Sequence, residues 1–132
     1  MVLTGFVSVG IGAMFGAWLR WWLGIALNSL LPTLPLGTLA ANLIGGYLIG
    51  LAMGSVEHFQ ALSPEARLFV VTGFLGGLTT FSAFSAETMT LLLRHEYLLG
   101  ATMVGAHVVG SLVMTLLGVG TVALLKGSLA AG

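Results

Sequence analysis

Four long apolar stretches constrain the fold of this chain more than any other feature of its sequence. A helix needs about 20 mainly apolar residues to cross the roughly 30 Å hydrocarbon core of a bilayer. Stretches of this kind run from about Leu3 to Leu23, Thr38 to Val56, Arg67 to Leu93 and Leu98 to Leu125. The sequence therefore predicts an all-α membrane protein with four transmembrane helices, formed by residues 1–132 as one domain. Ser63 and Pro64 have the residue types of an N-cap and a first helical residue, so they predict the start of the third helix.

The composition supports a membrane protein and excludes several other classes. Only 6% of the residues are charged, whereas soluble domains carry about 25%. The chain has no cysteine and a net charge of zero, so neither a thiolate metal site nor binding to nucleic acid is predicted. The N-terminus lacks the basic start of a secretory signal, and we interpret it as a retained first span.

The basic residues give no preferred orientation in the membrane. Arg67 and Lys126 belong to the side that holds both termini, and Arg20 and Arg94 belong to the other side. Orientation normally follows an excess of Lys and Arg on the cytoplasmic side. A tie predicts dual topology, with copies inserted both ways, and an antiparallel homodimer. From the charge count alone, a chance tie or a choice made by the insertion machinery is the alternative.

Glycines at four-residue spacing indicate close helix packing. Small residues let transmembrane helices approach each other closely. Such glycines occur in the first three spans, as Gly12 and Gly16, Gly46, Gly50 and Gly54, and Gly73 and Gly77. They predict a tight bundle and an oligomer, and they carry no chemistry of their own.

The stretch "GFLGGLTTFSAFSAET", residues 73–88, predicts an interruption at the centre of the third helix. Its consecutive glycines and threonines are poor helix formers. Non-helical backbone at membrane depth is tolerated only inside protein or beside a watery cavity. The free carbonyls at such an interruption can hold Na⁺, and the free amides favour an anion. The alternative is an unbroken helix whose hydroxyls bond to the preceding turn.

Polar side chains inside the spans suggest a path for a small solute. Residues three or four apart share one helix face, and this relates Thr38 to Asn42, Phe81 to Phe84, Ser82 to Ser85, and His107 to Ser111 and Thr115. Glu87 is the only carboxylate well inside a predicted span, and an intramembrane carboxylate is a functional candidate by default. Amide and hydroxyl donors beside the positive edges of aromatic rings suit a small, hard anion or water. The chemistry alone does not name the ion, and a lone His107 does not predict a metal site.

Four segments make the chain resemble the Fluc (CrcB-type) fluoride channels over nearly its whole length: "GAMFGAWLRWWLG", "PLGTLAANLIGGYLIG", "GFLGGLTTFSAFSAET" and "HVVGSL". The resemblance implies a passive fluoride channel that is not an enzyme. It also implies a dual-topology antiparallel homodimer with two pores, which exports fluoride across the bacterial inner membrane.

The same resemblance assigns roles to individual residues. It implies that the fluoride pore is lined by Phe81, Phe84, Asn42, Ser82, Ser111 and Thr38. Backbone carbonyls of Gly76 and Thr79 from both subunits would hold a structural Na⁺ at the dimer centre. Arg20 and Glu87 would be vestibule or accessory residues, and His107, at a position of the fourth span that varies in the family, is grouped with them. One position departs from the family, because many members have a threonine where this chain has Ala83, and one hydroxyl of the polar strip is therefore absent.

Two other transporter classes are alternatives. Small multidrug-resistance transporters also use four spans and dual topology, but they depend on a carboxylate in the first span, and this chain has none there. A proton-coupled fluoride antiporter would use Glu87 or His107 as its proton carrier.

Overall fold

The computed structural model describes residues 1–131, and within that range it is helical and contains no strand. Four helices are long and apolar enough to cross a membrane, namely Val2–Leu27, Leu36–Gly54, Pro64–Leu93 and Tyr97–Ala131. We call them the first, second, third and fourth spans. The prediction of four apolar membrane-spanning helices is thereby confirmed.

The ends of the helices in the structure can be compared with the span boundaries predicted from the sequence, and nearby residues explain where each helix begins or ends. Ser63 caps the third span as predicted, because its hydroxyl oxygen accepts a hydrogen bond from the N–H of Ala66 at 3.2 Å and Pro64 follows as the first helical residue. The connection before it forms a short helix, Val56–Ala61, which is too short to give a periodic sequence signal. The fourth span continues beyond Lys126 to Ala131, since Gly127 is tolerated within the helix and no proline follows the lysine.

The glycines join the spans into two closely packed pairs, as their spacing predicts. A Cβ added to Gly16 would overlap the carbonyl oxygen of Phe74, so the first span lies directly against the third. A Cβ added to Gly50 would overlap the carbonyl oxygen of Thr115, so the second span lies equally close to the fourth. Backbones approach this closely only where side chains are missing, which is the role of small residues in lipid.

The backbone of the third span changes conformation along its length. A first turn, Pro64–Arg67, leads into Leu68–Leu75, where the turns are of the wider π type, and then into Gly76–Leu78. Thr79 has φ −83° and ψ 153°, and Thr80 has φ −152° and ψ 120°, so both residues are extended. Regular α-helix resumes over Phe81–Leu93. We call Thr79 and Thr80 the extended pair.

The buried apolar side chains form two clusters on either side of the extended pair. One cluster joins the first three spans and consists of Leu23, Ala41, Leu75 and Leu78. The other joins the end of the third span to the fourth and consists of Phe84, Leu91 and Met103. Many other large apolar side chains are exposed, including tryptophans 18, 21 and 22. A lipid solvent accounts for this exposure, and the clusters hold the extended pair between them.

Candidate functional site

A groove opens on the side of the helical bundle at the extended pair. Its volume is about 550 Å³. The predicted site residues that line it are Asn42, Gly76, Thr79, Phe81, Phe84, His107 and Ser111. These residues come from the second, third and fourth spans, so the fold brings together most of the groups that the sequence singled out.

Asn42 compensates the backbone groups that the extended pair would otherwise leave unsatisfied. Its Oδ1 accepts a hydrogen bond from the N–H of Thr80 at 2.8 Å, and its Nδ2 donates to the carbonyl oxygen of the same residue at 3.0 Å. Unpaired backbone groups away from water are strongly unfavourable. The side chain of Asn42 therefore stabilises the extended conformation of Thr80 from a neighbouring helix.

The second N–H of the Asn42 amide is also used. Nδ2 of Asn42 lies 3.0 Å from Nδ1 of His107 on the fourth span. The His107 ring is 4% exposed and lies against the ring of Phe84, with centroids 4.6 Å apart and planes tilted by 31°. Nε2 of His107 is buried and has no hydrogen-bond partner within residues 1–131.

Two backbone carbonyls at the extended pair lose their usual helical partners. In an α-helix each N–H donates to the carbonyl four residues earlier. The N–H of Thr80, which would serve Gly76, donates instead to Asn42. The N–H of Ala83, which would serve Thr79, donates instead to the Thr80 hydroxyl at 3.2 Å. Within residues 1–131, the carbonyls of Gly76 and Thr79 therefore lack their usual helical donors, and both residues line the groove.

Arg20 binds another backbone carbonyl of the same segment, that of Gly77. Its Nε donates to the carbonyl oxygen of Gly77 at 3.1 Å. A cation at the C-terminal end of a helix is favoured by the helix dipole. Arg20 thus binds the C-terminal end of the first half of the third span.

The two phenylalanines after the extended pair differ greatly in exposure. Their rings meet edge to face, with centroids 5.4 Å apart and an interplanar angle of 68°. Phe84 is 7% exposed and belongs to the buried cluster with Met103, whereas Phe81 is 77% exposed. Both line the groove, but Phe81 extends from the surface of the chain.

A second cavity, of about 510 Å³, lies between the first and second spans. Arg20 and Thr38 both line it. The hydroxyl of Thr38 donates to Oε1 of Glu87 at 2.6 Å, and Oε2 of Glu87 is buried without a partner in the described chain. Thr38, Arg20 and Glu87 therefore gather away from the groove.

The serines divide between the groove and the surface. Ser111 lines the groove, and the carbonyl oxygen of Ser111 accepts from the hydroxyl of Thr115. Ser82 is exposed, and its hydroxyl lies 3.2 Å from that of Thr80. Sequence spacing did not anticipate the contacts of Asn42 with Thr80 and His107, or that of Arg20 with Gly77. A buried asparagine that needs partners was the one available signal for the first of them.

The fold and the groove define a class, that of multi-pass helical membrane proteins with convergent polar groups at the middle of their spans. Comparison with known proteins gives the family. The family model described as "CrcB-like protein, Camphor Resistance (CrcB)" matches residues 7–119. The chain belongs to this family, and the resemblance read from its four segments is confirmed.

Individual relatives agree along almost the whole chain. The protein named fluoride-specific ion channel FluC from Nitrosospira multiformis is 62% identical over 92% of this chain and 95% of the relative. Proteins with the same name from Ralstonia nicotianae and Pseudomonas putida are 57% and 51% identical. These matches cover 89% and 96% of this chain, and 94% and 99% of the relatives. All three are named as channels and none as an enzyme.

Proposed function

We propose that this protein is a passive, fluoride-selective channel of the bacterial inner membrane that exports F⁻ from the cytoplasm. The observation that carries the proposal is the match, over nearly the full length of the chain, to relatives named as fluoride-specific channels. The groove adds physical support, because it combines hydroxyl groups and phenyl rings beside a non-helical stretch of backbone. Such groups suit a small anion that must replace its water shell with short polar contacts.

The functional unit in this proposal is an antiparallel homodimer with two pores. Each subunit carries an open groove with the mostly exposed ring of Phe81 at its side. A second copy would cover this surface and convert an open groove into an enclosed path. The balance of two basic residues on each side of the membrane supports insertion in both orientations.

A structural Na⁺ at the dimer centre fits the free backbone acceptors. Carbonyl oxygens are suitable ligands for a dehydrated alkali cation. The carbonyls of Gly76 and Thr79 lack their helical donors, and two antiparallel copies would supply both carbonyls twice. Na⁺ bound there would link the subunits and compensate the negative ends of two half-helices. In this proposal the interruption of the third helix exposes the carbonyl oxygens that bind the cation.

In the proposed path, fluoride passes the rings of Phe81 and Phe84 and the hydroxyls of Ser111 and Ser82. Arg20 and Thr38, which share the second cavity, would form a vestibule that attracts the anion before it enters. Both N–H groups of the Asn42 amide are hydrogen-bonded, one to the Thr80 carbonyl oxygen and the other to His107. Its contribution in this conformation is therefore to shape the pore rather than to donate to the ion.

Fluoride efflux from proteoliposomes tests the proposal. A passive channel should release trapped fluoride only when a potassium ionophore compensates the charge, and its reversal potential should follow the fluoride gradient alone. A protein without fluoride flux would contradict the proposal outright.

The rival mechanism is a proton-coupled antiporter with Glu87 or His107 as its proton carrier, since within residues 1–131 each has one buried side-chain atom without a hydrogen-bond partner. Coupling to protons would make the reversal potential shift with a pH gradient at constant fluoride. Glu87→Gln should abolish that shift in an antiporter, whereas a channel should show no shift in either protein.

A further inference from the structure

We propose that His107 is a positioning residue of the pore, which acts through its Nδ1 by holding the Asn42 amide against the extended pair. This inference rests on the proposed channel function. It assigns a specific role to a histidine that sequence spacing alone leaves as an accessory residue.

The orientation of the Asn42 amide follows from the backbone that it contacts. The N–H of Thr80 can only donate, so the atom of Asn42 facing it must be the carbonyl oxygen. The amide nitrogen then faces the Thr80 carbonyl on one side and His107 on the other. If the amide were flipped, its NH₂ group would face the N–H of Thr80 and its oxygen would face the carbonyl oxygen of Thr80, so neither hydrogen bond could form.

This orientation fixes the tautomer of His107. Because Nδ2 of Asn42 is a donor, Nδ1 of His107 must accept and carry no proton. The neutral ring then carries its proton on Nε2. Stacking on Phe84 sets the plane of the same ring, with the centroids 4.6 Å apart. His107 is thus fixed both in rotation and in tautomer, and it presents a fixed acceptor to Asn42.

A chain of contacts follows, from Phe84 through His107 and Asn42 to Thr80. Its last link diverts the Thr80 N–H from the Gly76 carbonyl, which keeps the extended pair open. Without the acceptor on His107, one N–H of Asn42 would lose its hydrogen bond, and the Asn42 amide could rotate away from Thr80. The path for fluoride would then be disturbed without any change in a residue that touches the ion.

Three substitutions separate this role from a direct contact between the ion and Nε2. Asn at position 107 places an amide oxygen near the position of Nδ1, Gln places its amide near the position of Nε2, and Leu supplies neither. All three variants lose the ring that stacks on Phe84, so differences in efflux among them do not come from the loss of stacking. We expect His107→Asn to keep most of the fluoride efflux, and His107→Gln and His107→Leu to lose about threefold or more, as the loss of one hydrogen bond between membrane helices predicts.

Tyr47→Phe provides a matched control. It also removes a hydrogen bond between the second and fourth spans, from the Tyr47 hydroxyl to Thr121 at 3.1 Å, but it leaves the groove intact. Its efflux should equal that of the parent. Efflux retained in His107→Gln and lost in His107→Asn would overturn the proposal in favour of Nε2, and equal efflux in all three variants would overturn it as well.

The tautomer gives a readout that does not depend on transport. In protein labelled with ¹⁵N at histidine, the ring of His107, identified by its absence from His107→Asn, should carry its proton on Nε2 and none on Nδ1. Asn42→Ala should release this preference and mix the two tautomers. A proton on Nδ1 in the parent protein would overturn the proposal even if every variant failed to fold. Absence of fluoride flux in the parent, with the expected tautomer present, would instead refute only the proposed function.

Discussion

Substitution of Asn42 by alanine tests whether a single side chain keeps the extended pair open. Asn42 makes two hydrogen bonds to Thr80 and one to His107. Hydrogen bonds between membrane helices contribute about 0.6 kcal/mol each on average, so three such bonds amount to about 2 kcal/mol. Alanine removes all three and leaves the N–H of Thr80 within reach of its usual helical acceptor, the carbonyl of Gly76.

A shift of about 2 kcal/mol changes a conformational equilibrium by about thirtyfold. We therefore expect fluoride efflux from proteoliposomes containing Asn42→Ala to fall by at least about tenfold. Closure of the helix at Thr80 would also remove a proposed Na⁺ ligand, so the proposed dimer should dissociate at a lower detergent concentration. Tyr47→Phe, which removes a hydrogen bond between the second and fourth spans, should behave as the parent does. If Asn42→Ala conducts as the parent does, with its dimer equally stable, the extended pair does not depend on this side chain.

Four further predictions concern the rings, the glycine packing, the arginine and the cation. Phe81→Ile and Phe84→Ile should each strongly reduce efflux, and only Phe84→Ile should also lower the melting temperature in detergent, because only that ring is buried. Unchanged transport in both variants would remove these rings from the pore. Gly16→Ala should lower the melting temperature because its Cβ would overlap a backbone oxygen of the third span. Gly10→Ala, on the same helix, should leave the melting temperature unchanged because no atom lies within 4 Å of the added Cβ. Equal melting temperatures of the two variants would show that the first and third spans do not pack so closely. Arg20→Lys keeps the charge but lacks a donor at the position of Nε, so it should melt earlier than the parent, and a parental melting curve would show that the contact with the Gly77 carbonyl is dispensable. Purification with a bulky organic cation in place of Na⁺ should destabilise the dimer and reduce efflux, and indifference to Na⁺ would exclude the proposed carbonyl site.

The spans and their packing faces could be predicted from sequence because their signals are local. A run of apolar residues is recognised by length alone, and glycines at four-residue spacing mark a face of their own helix. The capping role of Ser63 was predicted for the same reason, since its bond reaches only three residues along the chain. The helix Val56–Ala61 was missed because six residues are too few to show a period.

The candidate site was predictable only as a set of residue types. The sequence shows that polar groups lie in or near the spans, namely Asn42, His107 and Arg20. It does not show which residues these side chains contact. Their partners are 38, 65 and 57 residues away in the chain. The sequence suggested that Phe81 and Phe84 share a face, and only the structure shows that one ring is buried against His107 while the other is exposed.

By itself, then, the sequence determined that this chain enters a membrane as four helices, and the resemblance of its motifs identified the family. Hydrophobic transfer and helix propensity act residue by residue, so they can be read without knowing the fold. Which carbonyls lose their helical donors at Gly76 and Thr79 was decided only by the tertiary structure. The reason is that hydrogen bonds in lipid must be satisfied within the protein, and the partners that satisfy them come from other helices.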